Sequence, residues 1–291
     1  MRRRQPTLGV GQRGVALLLV LWAGTVLAIL LGGYVVLART EGLQARYQFA
    51  QTQAHYAAEA GIMRAVYQLQ DPQVRHRWIG DGRVYAFSWD NAEVKVSAIS
   101  EAGKVDLNSA SPDVLQGLFR ATGMAPAAAQ ALTANVVSWR GLPGSKSQVA
   151  EQRAVYAAAG RDYGPRNGPF ASIEELQMVL GMTPSIYRQV ASAITVWSGN
   201  TTPDPDTAPP LALAAIPGMT PQKMQEIKLA RQARVDAPGL ALYNGVTHSI
   251  RSEASLADGT RAVVRATIRS QLGLTGAQPY VVLRWREGDG Q

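Results

Sequence analysis

The sequence predicts an α+β protein: a long N-terminal helix packed on an antiparallel sheet, with a large α-helical insert between the two halves of the sheet. Three observations predict it. A charge-free apolar run at 15–37 passes into a proline-free, helix-forming stretch that ends only near 70. Apolar and polar residues alternate at 84–100 and again at 246–286, the mark of half-buried strands. Between these regions, 104–236 carries helix caps, glycine turns and helical spacing instead.

In chain order, 1–14 is a short basic leader with Arg2, Arg3, Arg4 and Arg13. The next 23 residues, 15–37, carry no charge. At 1.5 Å per residue they make about 34 Å of helix, enough to cross the hydrocarbon core of a bilayer. Arginines before the span hold the N-terminus in the cytoplasm and send the remainder across the membrane. A cleaved secretory signal fits poorly, because the apolar run is too long and Ala38-Arg39-Thr40-Glu41 lacks the small-residue cleavage pattern. An ordinary signal anchor fits the hydrophobicity alone. Gln12-Arg13-Gly14-Val15-Ala16-Leu17-Leu18 adds something further. A basic leader ending in glycine just before an apolar helix resembles the substrates of prepilin peptidase. That resemblance implies cleavage between Gly14 and Val15, with N-methylation of Val15.

Residues 38–70 continue the helix as a stalk. Leu43, Tyr47, Ala50, Ala54, Ala57, Ala58, Ile62, Val66 and Leu69 recur at spacings that give one face for packing on a domain. Span and stalk together predict a helix of roughly 80 Å. The sheet is expected from 71–103 and 237–291, where Asp90-Asn91 and Asp258-Gly259 supply hairpin turns. Within 104–236 three weakly similar units appear, each turning at a Gly-Met pair: Thr122-Gly123-Met124, Leu180-Gly181-Met182-Thr183-Pro184 and Pro217-Gly218-Met219-Thr220-Pro221. A hydroxyl or acidic residue (Ser111, Ser172 or Thr220, for example) is placed to cap a helix in each. The units resemble SAM-like or helix-hairpin-helix modules.

Some helix-hairpin-helix modules bind DNA, so a membrane-anchored DNA-binding or uptake protein is the rival reading. Against it, 104–236 has twelve basic and ten acidic residues, and half of the chain's net charge of +8 lies in the leader. A phosphate-binding surface is expected to be markedly basic. Arg188, Lys223 and Lys228 are the candidates for a local patch; no nucleic acid is expected as a partner.

The chain has no cysteine and only three histidines, His55, His76 and His248, far apart in sequence. Disulfides and thiolate metal sites are excluded, and no catalytic residues are assigned. Glu93, Glu101 and Asp106 have no histidine or thiol placed to work with them. The proline-rich stretch 200–210 reads as an exposed link, and Asp204 and Asp206 within it are weak candidate oxygen ligands for calcium.

The segments QRGVALLLVL, YAAEAGIMRAVYQL, ISEAGKVDLNSASPDVLQGLF, NGPFASIEELQMVLGM, THSIRSEASLADGTRAVVRATIR and PYVVLRW occur in an order that resembles the K family of type II secretion minor pseudopilins. The resemblance implies a pilin-like sheet and a place at the tip of the periplasmic pseudopilus, with a role in starting assembly and limiting growth. It implies partners as well: I-, J- and H-type pseudopilins, prepilin peptidase and the inner-membrane secretion platform. It places the chain as a single-pass protein of the bacterial inner membrane with a periplasmic domain. Most pilin-like proteins carry glutamate at the fifth mature position, paired with the ammonium of a neighbouring subunit. With Val15 first, the fifth residue here is Leu19. A carboxylate in lipid costs several kcal/mol unless paired, so Leu19 marks a subunit with nothing above it. Related K proteins are associated with calcium, held by acids that follow a tryptophan. Here Trp139 precedes Arg140-Gly141-Leu142, and Glu151 is the acid left in that neighbourhood.

Overall fold

The computed structural model describes residues 13–71, 73, 76–142, 144–233, 246–271 and 279–288. The leader up to residue 12 and the expected insert–sheet boundary at 236/237 lie outside the described residues. The chain divides into two compact units, Met1–Gln53 and Ala54–Gln291.

In the first unit the described chain is helical throughout. It is the beginning of α1 (Arg13–Leu69), a 57-residue helix. The helix is long and apolar enough to cross a membrane, with a mean hydropathy of 2.6 in its best window. Leucine and valine side chains between Val15 and Leu37 all face outward, offering a continuous apolar surface. Its polar atoms turn inward: the Thr25 hydroxyl donates to the Trp22 carbonyl (2.7 Å) and that of Thr40 to Val36 (2.9 Å). Hydroxyls satisfied by their own helix suit a segment without water around it. Leu43 and Tyr47, placed by their spacing on the packing face, are exposed instead.

In the second unit, α1 from Ala54 onward lies against a five-stranded antiparallel sheet. The strands are β1 (Asp81–Trp89), β2 (Ala92–Ser100), β5 (Thr247–Leu256), β6 (Arg261–Ser270) and β7 (Tyr280–Glu287), in the order β1-β2-β5-β6-β7. The two ends of the chain thus share one sheet. They meet where β2 pairs with β5 from Ala92↔Leu256 to Ser100↔His248. Alternation decides which face is covered: Val94, Val96 and Ala98 are buried, whereas Glu93 and Lys95 between them are exposed. Ala57, Ala58, Ile62, Ala65, Val66 and Leu69 of α1 pack on those residues and on Ile250, Ala254, Val264, Ala266 and Ile268. Gly61 sits at the closest approach. A Cβ there would lie 2.1 Å from Ser252 Oγ and 2.8 Å from Val94 Cγ1, so only glycine fits without displacing the sheet. The turns use Asp90, at φ 51°, and Gly259, at φ 87°.

Between β2 and β5 the chain builds a second core. Its helices are α2 (Pro112–Ala121), α3 (Pro126–Arg140), α4 (Lys146–Ala158), α5 (Pro184–Val190), α6 (Pro210–Ala214) and α7 (Pro221–Ala233). A 3-10 segment, Ile173–Met178, and a short parallel ladder of β3 (Val105–Asp106) with β4 (Ile194–Thr195) complete it. The ladder is an addition to the all-helical expectation. The three Gly-Met pairs are structural hinges. Gly123, Gly181 and Gly218 all take positive φ, between 73° and 87°. That left-handed conformation ends a helix cheaply only in glycine. The methionine after each then packs on the same core, whose centre is Leu115, Leu118, Phe119, Leu132 and Leu176. Ser111 and Thr183 cap α2 and α5 through their side chains, each ahead of a proline at the first helical turn. Ser172 does not cap. Its side chain makes no cap hydrogen bond, and the Glu175 carboxylate accepts instead from the Ala171 N–H (2.9 Å).

Candidate assembly surface and the residues that shape it

Gly14 and Val15 fall in the first turn of α1, and Leu19 stands one turn later with its side chain exposed. From Val15 to Leu37 the helix presents neither charge nor buried partner, so its whole circumference is available to lipid or to neighbouring helices.

The Asp-Leu-Asn-Ser-Ala segment, 106–110, is a clamp. Asp106 is buried. Its Oδ1 accepts from the N–H groups of Asn108 (2.8 Å) and Ser109 (3.2 Å). Its Oδ2 accepts from Ser198 Oγ (3.2 Å) and the Gly199 N–H (2.8 Å), far along the chain. Asn108 reads both backbone groups of Phe170: its Oδ1 accepts from the N–H (2.7 Å) and its Nδ2 donates to the carbonyl (3.1 Å). Leu107 and Ala110 offer their carbonyls to the Arg140 guanidinium, each at 2.7 Å. Burial lowers the Arg140 pKa, and the nearby Asp106 charge opposes that shift. These bonds tie three distant stretches into one rigid body, because each would cost roughly 1–3 kcal/mol if left buried and unmade.

Trp139 closes the same region. Its Nε1 donates to Glu175 Oε1 (2.8 Å), and its ring stacks on Phe170 with Tyr156 and Tyr163 at the edges. Arg140 after it is therefore a clamp residue, occupied with backbone carbonyls. The calcium candidates are not gathered. Glu151 is exposed on α4, and Asp204 and Asp206 lie in the loop before α6. There Asp204 spends its oxygens on a local turn, accepting from the Asp206 N–H and the Thr207 hydroxyl, both at 3.0 Å. Among the described residues no three His, Asp or Glu side chains come together as a metal site.

The second core is fastened to the sheet by polar contacts. Glu101, buried, and Lys104, half-buried, form a pair at 2.6 Å just after β2. Glu174 reaches Arg284 (2.7 Å) and Arg286 (3.2 Å) of β7. Arg269 Nη2 donates to the Trp197 carbonyl (3.3 Å). His248 of β5 is buried against Gly80. Burial brings its pKa down to about 4, with Glu101 pulling the other way. Of the carboxylates near the end of β2, Glu101 is taken up in its pair with Lys104 and Asp106 in its clamp. Two of the three cations weighed for phosphate bond locally: Arg188 donates to the Pro184 carbonyl of its own helix, and Lys223 to the carbonyl of Gly218 in the turn before α7.

Comparison with known proteins agrees with this architecture. Residues 93–199 match the family model for the type II secretion system, protein K. No curated protein matches the chain. A chain in the crystal structure of the GspK-GspI-GspJ complex of the type 2 secretion system from enterotoxigenic Escherichia coli superposes with a TM-score of 0.53. At 13% identity, the alignment covers 87% of this chain and 99% of that one. The likeness shows a shared fold, and the resemblance to the protein K family stands.

Proposed function

We propose that the protein is a minor pseudopilin of a type II secretion system, placed at the tip of the periplasmic pseudopilus. The carrying observation is a combination. One 57-residue helix has an apolar N-terminal part of membrane-spanning length, and its last turns, from Ala54 onward, are seated on an antiparallel sheet. That sheet is interrupted by a separate core, and the segment matching the protein K family runs through that core. The apolar segment waits in the inner membrane with its N-terminus in the cytoplasm. After cleavage between Gly14 and Val15 by prepilin peptidase, it packs against the equivalent helices of partner subunits. In the similar crystal structure GspK is held in a complex with GspI and GspJ. I- and J-type pseudopilins are accordingly the partners we propose, with an H-type subunit and the inner-membrane platform beyond them.

Leu19 gives the helix its place. A subunit inside the filament needs a carboxylate to neutralise the ammonium of its neighbour, because an unpaired charge in lipid costs several kcal/mol. A subunit with nothing above it has no ammonium to meet, and leucine there is the cheaper residue. The rigid second core then sits where further addition at that end is blocked. The role is assembly and initiation, supporting protein export without chemistry of its own.

Intact-mass analysis tests the processing step directly. Co-expression with a prepilin peptidase is expected to yield a chain beginning at N-methylated Val15, and Gly14→Leu should abolish the cut. A chain left whole, or cut after the apolar helix, contradicts the proposal.

A further inference from the structure

The groove between α2, α3 and α4 has a lining that packing of the second core does not call for. α3 forms its floor with Ala134 and Val137, α2 contributes Gln116, and α4 contributes Gln148 and Gln152. Gln130 stands at one end and the exposed Leu142 at the other. The groove has a volume of about 550 Å³, within the range that ligand sites take. Every polar side chain of its lining is an amide or a hydroxyl, and none carries a charge. The cleft beside Trp139, by contrast, is bordered by Arg166, Glu174 and Glu175.

The α4 wall holds its amides half-used. Gln152 Nε2 donates to Ser138 Oγ at 3.0 Å. Its Oε1 is shielded from water and, among the described residues, has no partner. Turning the amide over exchanges the two atoms and still leaves one of them without a partner. A shielded polar atom in that state costs about 1–3 kcal/mol. The Gln152 side chain is only half-buried, so a small rotation opens the atom to the groove. One helical turn earlier, Gln148 Oε1 accepts from the Gly144 N–H at 2.8 Å, which leaves Nε2 to donate. The Thr133 hydroxyl is closed, since it donates to the Ala129 carbonyl at 2.8 Å. The wall therefore offers an acceptor and a donor one turn apart above an apolar floor.

We infer that this groove binds an extended, uncharged segment of a partner polypeptide by its main chain. A charged ligand finds no counter-ion in the lining. A helix does not match it either, because the N–H and C=O groups of a helix are already bonded to each other. An extended segment presents a free donor and a free acceptor at each residue, the pairing that amide side chains complete. No aromatic ring lies in the lining to stack on a sugar, which sets a glycan aside. From Gln130 to Gly141 the floor follows α3 for about 16 Å. That length seats roughly five residues of extended chain. Leu142, 86% exposed, then meets an apolar side chain at the end of the segment. The inference goes beyond the pseudopilin reading and stands without it, because it rests on the packing of the second core alone.

The test uses the full chain in detergent micelles and a fluorescently labelled, end-blocked hexapeptide of alanine and serine ending in leucine, followed by anisotropy. Saturable binding is expected, with an affinity that added salt leaves unchanged. The same peptide N-methylated at alternate amides keeps its side chains, loses its donors, and should bind at least about tenfold more weakly. Gln152→Met and, separately, the exposed Gln148→Met should each weaken binding of the parent peptide about fivefold, the loss of one hydrogen bond. Gln222→Met on α7, outside the groove, should leave it unchanged. The unfolding midpoint of Gln148→Met should equal the parent's, so its loss of binding reads the groove and not the fold. Absence of saturable binding, equal binding of the N-methylated peptide, or equal binding by the parent and both groove variants overturns the inference. Tighter binding of cellohexaose than of the hexapeptide through the same glutamines overturns the assignment of a polypeptide ligand.

Discussion

Gly61 is the position at which the packing of α1 on the sheet is most sharply exposed to test. In Gly61→Ala the new methyl would meet Ser252 Oγ at 2.1 Å, Val94 Cγ1 at 2.8 Å and Val96 Cγ2 at 3.0 Å. All three neighbours are fully buried, so none escapes into solvent. Among the described residues Ser252 Oγ has no hydrogen-bond partner, and turning it away breaks no bond with them. The two valines are fixed by the strand and cannot yield in the same way. Overpacking of this kind costs about 1–3 kcal/mol. Replacing glycine by alanine inside a helix returns up to about 1 kcal/mol. The net expectation is destabilisation by roughly 1–2 kcal/mol, a fall on the order of 5 °C in thermal midpoint for a unit of this size. The assay is thermal or denaturant unfolding of the full chain in detergent, followed by near-ultraviolet circular dichroism. Ser252→Gly in the same chain removes the shortest contact and should recover part of the loss, a coupling that a double-mutant cycle reads directly. Gly42→Ala, with nothing within 4 Å, should not lower the midpoint. A Gly61→Ala chain as stable as the parent would refute the close contact between helix and sheet.

Other perturbations probe the supports of the fold. His248 is held at about 4, below its ordinary 6.5, so between those values the unfolded chain binds a proton that the folded chain refuses. The contribution of His248 is therefore full above pH 6.5 and is lost as pH falls toward 4, by roughly 3 kcal/mol in all. In His248→Asn the unfolding midpoint should fall less steeply over that window; an unchanged slope counts against the burial. Asn108→Ala leaves both backbone groups of Phe170 without their partner and should cost about 2–4 kcal/mol. Faster hydrogen exchange at the Phe170 amide is the local readout. Thr183→Ala should cost about 1 kcal/mol through the lost cap, and Ser172→Ala close to nothing. Equal effects of the two would undo the distinction drawn between those helix starts.

Much of this architecture is legible in the sequence because its signals are local. Val94, Val96 and Ala98 alternate with polar residues, and the strand they predict has the predicted buried face. Helical spacing places Ala54, Ala57, Ala58, Ile62, Val66 and Leu69 on one face of α1, and all of them are buried. The Gly-Met hinges are visible for the same reason, since left-handed turns need glycine wherever they occur. What escapes sequence reading is non-local. The β3–β4 ladder pairs Val105 with Ile194 over strands too short to show any period. Nothing in the sequence around Asn108 announces its pairing with Phe170, 62 positions on. Spacing likewise groups Leu43 and Tyr47 with the packing face but cannot say that their side chains stay exposed. The neutral groove is hidden too, because Gln116, Gln130 and Gln152 share one lining only once α2, α3 and α4 pack together. Sequence alone likewise does not show that Glu151 is exposed on α4 or that Asp204 accepts from Asp206 and Thr207 within its loop.

Co-purification tests the central claim most directly. The full chain, co-expressed with I- and J-type pseudopilins and extracted in detergent, is expected to emerge with both in a stoichiometric complex at physiological salt. Failure to recover either partner, together with tight salt-sensitive binding of duplex DNA by the chain alone, would contradict it.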